Sequence, residues 1–159
     1  MGKQLAQMHR SLSPNGLYGF DQDNYIGLSP QSNQWTESWC NFYLNHRLLP
    51  QIRLFESNGH CIQEKELFLQ KARERLSSHN PSPSLLHGFA LLFCTMSRDL
   101  WGGNVGFIRP STPVLFDPAT YYGDRETDII MTQVTTSLLL TRSLSATFPT
   151  RSTKDTMTN

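Results

Sequence analysis

Three oxygen-bearing side chains stand close together in the second half of the sequence. Asp99 is followed five residues later by Asn104, and Asp117 comes after a short apolar stretch. Carboxylate and amide oxygens are hard ligands that suit Mg²⁺, and a carboxylate can accept the proton of an attacking hydroxyl. The set therefore suits phosphoryl transfer to a hydroxyl, with Asp99 as the base and the other two side chains as metal ligands.

The sequence between these side chains predicts a β-hairpin. Two runs with strand character flank a turn, at residues 104–108, 109–112 and 113–116. Because the two ends of a hairpin lie together, we expect Asn104 to be close to Asp117. Gly102 and Gly103 allow a tight turn that would bring Asp99 to the same point. The plain alternative is that the two aspartates are turn residues and the asparagine a strand cap, since D-x-x-x-x-N arises often by chance.

The elements that would position this set are mainly helical. An aromatic stripe with helical spacing predicts a helix with a buried face, at Trp35, Trp39, Phe42 and Tyr43. Thr36 is its expected N-cap, and Pro50 marks either its end or a kink. A second helix is predicted from Gln63 to Leu76. Its expected buried face consists of Leu67, Phe68, Ala72 and Leu76.

A long segment rich in Gly, Pro, Asn and Ser precedes these helices, at residues 11–34. Long ordered loops are often functional. Asp23, Asn24 and Tyr25 are therefore candidate substrate contacts. The alternative is that Asp23 and Asn24 cap turns.

Several strings resemble the fructosamine kinase (ketosamine 3-kinase) family. They are D-L-W-G-G-N at 99–104, F-D-P-A-T-Y-Y-G-D at 116–124, L-L-H-G at 85–88 and G-F-D-Q-D-N-Y-I-G at 19–27. The resemblance implies a protein-kinase-like fold related to aminoglycoside phosphotransferases. It also implies ATP-dependent phosphorylation of the sugar of ketosamines, either small molecules or glycated protein amines, with Mg²⁺ as the metal.

The resemblance also assigns roles to residues. Asp99 matches the catalytic base, while Asn104 and Asp117 match the metal-binding pair. Trp101 stands where the family places an aromatic side chain near the sugar, with a plain core or lid residue as the alternative. Two further residues match structural positions. His87 matches the loop histidine, and Asp128, in a last helix that Asp124 caps, is expected to brace the catalytic loop.

The expected fold class is α+β and mainly helical, the large lobe of a kinase-like fold with a short hairpin at the catalytic loop. Residues 1–132 are expected to form this partial lobe, since no Gly-rich phosphate loop and no strand lysine paired with a helix glutamate is recognisable. Residues 89–98 are an atypical apolar insertion, which would either bulge outward or detach the loop. Residues 133–159 form a divergent Ser/Thr-rich tail that is expected to be partly disordered.

Composition excludes several other functions. The net charge is +1 and no basic patch alternates with aromatics, so nucleic-acid binding has no support. The three cysteines lack metal spacing, and free thiols fit a cytoplasmic protein. No apolar stretch is long enough for a bilayer, so no membrane partner is expected. We expect a phosphotransferase chain that is inactive alone, with a non-catalytic pseudoenzyme or a sugar-binding fragment as the alternative.

Overall fold

The computed structural model describes residues 2–88, 105–109 and 112–130. In chain order the elements are α1 (Gly2–Met8), β1 (Asn24–Ile26), β2 (Ser29–Gln31), α2 (Trp39–Tyr43), a π-helical turn (Leu44–Leu48), α3 (Leu49–Ser57), α4 (Lys65–Ser77), β3 (Ser84–Leu86), β4 (Val105–Arg109), β5 (Thr112–Leu115) and β6 (Tyr121–Gly123). Residues 126–130 are helical. Helices and small antiparallel sheets thus make up the described part of the chain, in agreement with the α+β prediction.

The described chain contains three two-stranded antiparallel sheets, of which β3–β6 joins segments that are distant in the sequence. In the β3–β6 pair, Ser84 lies opposite Gly123 and Leu86 opposite Tyr121. Single bridges from Leu12 to β3 and from Gly19 to β6 widen this pair on both sides. The β1–β2 hairpin lies within the segment predicted as a loop. Backbone hydrogen bonds between strands thus bring the N-terminal segment beside the end of the described chain.

The first aromatic helix begins later and is shorter than predicted. Ser38, and not Thr36, is the N-cap of α2, because its side chain accepts the amide of Asn41. A π-helical turn follows, in which the amide of Leu49 binds the carbonyl of Leu44 five residues earlier. Pro50 lies in the first turn of α3, where its missing N–H is tolerated. Helical structure therefore continues past Pro50, with a change from α- to π-helical hydrogen bonding and back.

Two clusters of buried side chains form the core of the described residues. Tyr18, Trp39, Phe42, Leu86 and Tyr121 form the first, and Cys40, Leu44, Leu48 and Ile52 form the second. Burying each large apolar side chain contributes about 1.5–3 kcal/mol. Trp39 and Phe42 of α2 both lie in the first cluster, so the prediction that the aromatic stripe is core is confirmed for these two residues.

The buried face of α4 differs from the predicted one. Leu69, Ala72 and Leu76 pack against the second cluster, whereas Leu67 and Phe68 are 41% and 42% exposed. At 100° per residue, spacings of three and four keep the first three side chains on one face. The prediction was wrong for Leu67 and Phe68 because α4 presents the neighbouring stripe to the core.

The predicted hairpin and the predicted last helix are both present. Val105 pairs with Leu115 and Arg109 pairs with Thr112, so the connection spans two residues. The carboxylate of Asp124 accepts the amide of Glu126 at 3.0 Å, which confirms the predicted cap of the helical residues 126–130. Among the helices of the described residues, none has both the length and the apolar character needed to cross a bilayer.

Candidate functional site

A buried carboxylate joins three parts of the chain. Asp128 is 0% exposed, and its oxygens accept the backbone amides of His87 at 2.8 Å and Gly88 at 3.1 Å. His9 Nε2 lies 3.0 Å from Asp128 Oδ2, so this nitrogen must carry the donated proton. These four residues are referred to below as the Asp128 centre. Three donors on one buried carboxylate fix the chain at Gly88, eleven residues before Asp99.

His9 is the member of this centre that the sequence did not reveal. It follows α1 directly and is 6% exposed, yet it lies 119 positions from its partner along the chain. No local pattern marks such a contact. The only available signal was the expectation that Asp128 braces the loop, which leaves the donor on its other side unspecified.

The ring of His87 is buried beside two carboxylates. Burial lowers the pKa of His87, while the charges of Asp128 and Asp117 act in the opposite direction. Because desolvation is the largest cause, the neutral ring is favoured in the folded protein. The charge of Asp117 therefore acts at the start of the predicted catalytic loop.

Asp117 has the opposite environment to Asp128. Its side chain is exposed, and its backbone adopts φ 57°, in the left-handed region that most residues avoid. Within the described ranges, no side chain or backbone group bonds to its carboxylate. Strained backbone conformations of this kind occur preferentially at ligand sites. An exposed carboxylate to which no described group bonds is a fitting hard donor for Mg²⁺.

The backbone just after Asp117 packs against Gly88. A Cβ at Gly88 would collide with the Ala119 carbonyl oxygen, and Gly88 has φ 82°. Only glycine therefore allows this approach. The residues 116–120, referred to below as the Asp117 loop, are thus in direct contact with the Asp128 centre.

The predicted substrate contacts on the β1–β2 hairpin have different surroundings. The Asp23 carboxylate accepts the amide of Asn33 at 2.7 Å. Asn24 donates to the Thr120 carbonyl at 2.8 Å and accepts from Gln31 at 2.8 Å. Tyr25 points to the other face of its strand and is 66% exposed. The hairpin thus contacts the Asp117 loop through Asn24, with Tyr25 in solvent.

A buried arginine anchors the segment that carries this hairpin. Arg47 Nη1 donates to the carbonyls of Ser32 and His46, both at 2.8 Å, and Nη2 donates to Asn33 Oδ1. The guanidinium carbon lies 4.0 Å from the ring centroid of Tyr121. Burial raises the pKa of that phenol to about 12.

A cavity of about 340 Å³ lies beside Arg47. Its walls include Trp39, Tyr43, Tyr121 and Ile130. Asp117 does not line it, nor does any other predicted site residue within the described ranges. Gln31, whose amide donates to the Ala119 carbonyl of the Asp117 loop, also lines this cavity.

Three predicted site residues, Asp99, Trp101 and Asn104, lie outside the described residues. Among the residues that are described, no group of three His, Cys, Asp or Glu side chains could hold a metal ion. Val105, next to Asn104, pairs with Leu115, two residues before Asp117. The convergence of positions 99, 104 and 117 on one centre thus remains a prediction.

Comparison with known proteins identifies the family. A family model described as fructosamine kinase matches residues 1–145. A probable ketoamine kinase from Vibrio parahaemolyticus is 41% identical over 133 residues, which cover 84% of this chain and 42% of the relative. A probable ketoamine kinase from Synechocystis is 37% identical over 134 residues, again covering 84% and 42%. The chain thus spans about two fifths of the length of these curated relatives.

Solved structures agree with the family match. The crystal structure of a candidate fructosamine-3-kinase from Haemophilus somnus has a TM-score of 0.66 at 34% identity, covering 79% of this chain and 38% of that one. A second, from Thermobifida fusca, has a TM-score of 0.66 at 31% identity, covering 84% and 43%. The α+β elements described above therefore form part of a kinase-like fold, and the chain belongs to the fructosamine kinase family.

Proposed function

We propose that this chain carries the acceptor-side machinery of an ATP-dependent ketosamine 3-kinase. The reaction would transfer the γ-phosphoryl group of ATP to a sugar hydroxyl of a fructosamine or ribulosamine, free or on a protein amine. The observation that carries the proposal, in a chain of this family, is the Asp117 loop: no described group bonds to its exposed carboxylate, and its backbone at Ala119 packs against Gly88. Residues 1–132 would supply part of the large lobe.

The residue roles follow from the chemistry. Asp99 would accept the proton of the attacking hydroxyl, a step worth about 10²–10⁴-fold in rate. Asn104 and Asp117 would hold Mg²⁺, which when bound would neutralise charge on the phosphate oxygens. Trp101 would pack its indole against the sugar. Tyr25 and Asp23, exposed on the β1–β2 hairpin, are the remaining candidates for substrate contact.

The Asp128 centre would support the catalytic loop without touching substrate. Its carboxylate is fully buried and accepts hydrogen bonds from His9, His87 and Gly88. By fixing His87 and Gly88 it would set the direction in which the chain enters the loop. Alignment of reactants contributes about 7–11 kcal/mol to such reactions, so a small displacement of the loop would weaken catalysis strongly.

We expect the chain by itself to bind ligand without useful turnover, since its sequence contains no recognisable phosphate loop. The test has two parts. Thermal unfolding of the full chain is measured with Mg²⁺-ATP, with a fructosamine and with both, and transfer of labelled phosphate is measured in parallel. A rise in melting temperature that Asp117→Asn abolishes for Mg²⁺-ATP supports the metal role. Absence of both a thermal shift and transfer would overturn the proposal for this chain.

Measurable transfer would correct the expectation of inactivity and would allow a direct test of the base. In that case Asp99→Ala should reduce the rate by about 10²-fold or more. A rate unchanged by this substitution would contradict the assignment of Asp99.

A further inference from the structure

Two side-chain amides of the β1–β2 hairpin bind consecutive carbonyls of the Asp117 loop. Asn24 Nδ2 donates to the Thr120 carbonyl at 2.8 Å, and Gln31 Nε2 donates to the Ala119 carbonyl at 3.2 Å. The two amides are also bonded to each other, through Gln31 Nε2 and Asn24 Oδ1 at 2.8 Å. They lie opposite each other in the hairpin register. Asn24 and Gln31 together are referred to below as the amide clamp.

The clamp is occupied by protein groups. Both hydrogens of Gln31 Nε2 have acceptors, and its buried Oε1 has no partner among the described residues. This orientation is dictated by the carbonyls that surround the amide, because the reverse orientation would set oxygen against oxygen. Asn24 likewise uses both ends of its amide within the protein. A sugar hydroxyl that bonded the Asn24 amide would therefore have to displace one of these partners.

The clamp and Gly88 contact the same stretch of the Asp117 loop backbone. The loop backbone at Ala119 lies against Gly88, and Gln31 binds the same carbonyl. Pro118 fixes one further backbone angle between Asp117 and these contacts. The backbone is therefore held at two consecutive carbonyls, while no described group bonds to the Asp117 carboxylate. Fixed backbone beside a free side chain is the arrangement that precise placement of a ligand requires.

We propose that Asn24 and Gln31 are positioning residues that hold the Asp117 carboxylate in the direction needed for its metal, and that Asn24 does not contact the substrate. The inference rests on the proposed metal role of Asp117. Groups that orient a metal ligand from behind change metal affinity by about 10–100-fold when removed. Removing either clamp amide should therefore lower metal affinity strongly while lowering the melting temperature only slightly.

The experiment uses the full 159-residue chain and Mn²⁺ alone as the probe. Mn²⁺ broadens the amide NMR signals of residues near its site, and the concentration that half-broadens the signals of Asp117, Ala119 and Thr120 is measured. Asn24→Ala and Gln31→Ala should each raise this midpoint by about 10-fold or more and shift the Ala119 and Thr120 amide signals. Because the two amides bond each other, the double variant should have less than the summed effect.

Two controls separate positioning from general stability. Gln34→Ala removes an exposed amide three residues after Gln31 and should leave the midpoint unchanged. Leu48→Ala removes a side chain of the second cluster that is 3% exposed, so it should lower the melting temperature without raising the midpoint. A midpoint raised equally by Leu48→Ala would overturn the proposal.

A further variant distinguishes the failure of this inference from the failure of the proposed function. Asp117→Asn should abolish the broadening of the amide signals at positions 117, 119 and 120. If broadening persists in that variant, the metal role of Asp117 fails, whatever the clamp variants do. If Asp117→Asn abolishes the broadening but Asn24→Ala and Gln31→Ala change neither the midpoint nor the amide signals, the metal role stands and the clamp is refuted.

Discussion

Two aspartates in neighbouring parts of the fold have opposite surroundings. Asp128 is fully buried and accepts hydrogen bonds from His9, His87 and Gly88. Asp117 is exposed, has a left-handed backbone and keeps its carboxylate free of the other described residues. A buried charge persists only when its hydrogen bonds are satisfied, whereas a ligand site needs oxygens that are still available. The comparison separates a carboxylate that holds the fold from one that is suited to chemistry.

The difference between Asp128 and Asp117 is tested most directly by replacing each carboxylate with an amide. Asp128→Asn sets an NH₂ group against backbone donors and removes the charge opposite His9, so we expect a loss of about 3–5 kcal/mol. Asp117→Asn changes an exposed group and should alter stability by less than about 0.5 kcal/mol. Urea unfolding at neutral pH measures both. Equal losses would mean that the two sites do not differ in the way proposed.

The contact between the two regions is tested at Gly88. Gly88→Ala places a methyl group against the Ala119 carbonyl at a positive φ, and we expect a loss of about 2–4 kcal/mol from strain and overpacking together. Gly59 has the same φ of 82° with no atom near the new Cβ. Gly59→Ala therefore measures the backbone strain alone. The difference in stability loss between the two variants, measured by thermal unfolding, gives the energetic cost of the steric contact at Gly88. Identical losses would show that the Asp117 loop moves away from the new methyl group at no cost in stability.

Two histidine–aspartate pairs that differ in exposure test how burial affects the contribution of such a pair to stability. His9 and Asp128 are buried at 6% and 0% exposure, whereas His79 is 42% exposed in its pair with Asp124. Hydrogen bonds to buried charged groups contribute about 1.5–3 kcal/mol, and exposed pairs contribute about 0–1 kcal/mol. His9→Ala should therefore destabilise the chain more than His79→Ala in chemical unfolding. The reverse order would contradict the assignment of His9 to the Asp128 centre.

The smallest expected effect is a decrease in the free energy of unfolding at mildly acidic pH. Burial lowers the pKa of His87 below its usual 6.5, so below that pH the unfolded chain binds more protons than the folded chain. The contribution of His87 to stability is therefore intact above pH 6.5 and decreases as the pH falls below it. His87→Gln should flatten this slope in unfolding experiments between neutral and mildly acidic pH.

His46 provides the comparison for that measurement, because burial and the charge of Arg47 also lower its pKa, against an opposing effect of Asp23. His46→Gln should flatten the slope as well, but without altering the Asp117 loop. A slope that neither substitution changes would assign the acid sensitivity to other groups.

Much of the local structure could be predicted from residue types and spacing. The strand Ser84–Leu86, the hairpin around residues 105–115 and the cap at Asp124 all follow from short-range patterns. Predictions failed where several local choices were nearly equal. Ser38 and Thr36 are both good caps, and α4 contains two adjacent apolar stripes. Only packing against the second cluster selects one stripe.

The candidate site was predictable in its residue types but not in its contacts. Asp117 could be named from its string, and Asp128 from its expected bracing role. The bond from His9 spans 119 positions and that from Asn24 to Thr120 spans 96, so neither leaves a periodic signal. The sequence predicts Asn24 as a substrate contact, and its polar loop contains no information about the bonds that the Asn24 amide makes to Thr120 and Gln31.

The sequence by itself determined which chemistry is available, since the nature of Asp, Asn and Trp side chains does not depend on the fold, and it determined the family through strings that are rare by chance. Tertiary structure alone decided which aspartate is buried and which is free. Burial and hydrogen-bond satisfaction depend on groups brought from distant parts of the chain, and those groups acquire their positions only when strands β3 and β6 pair and the N-terminal segment closes over them.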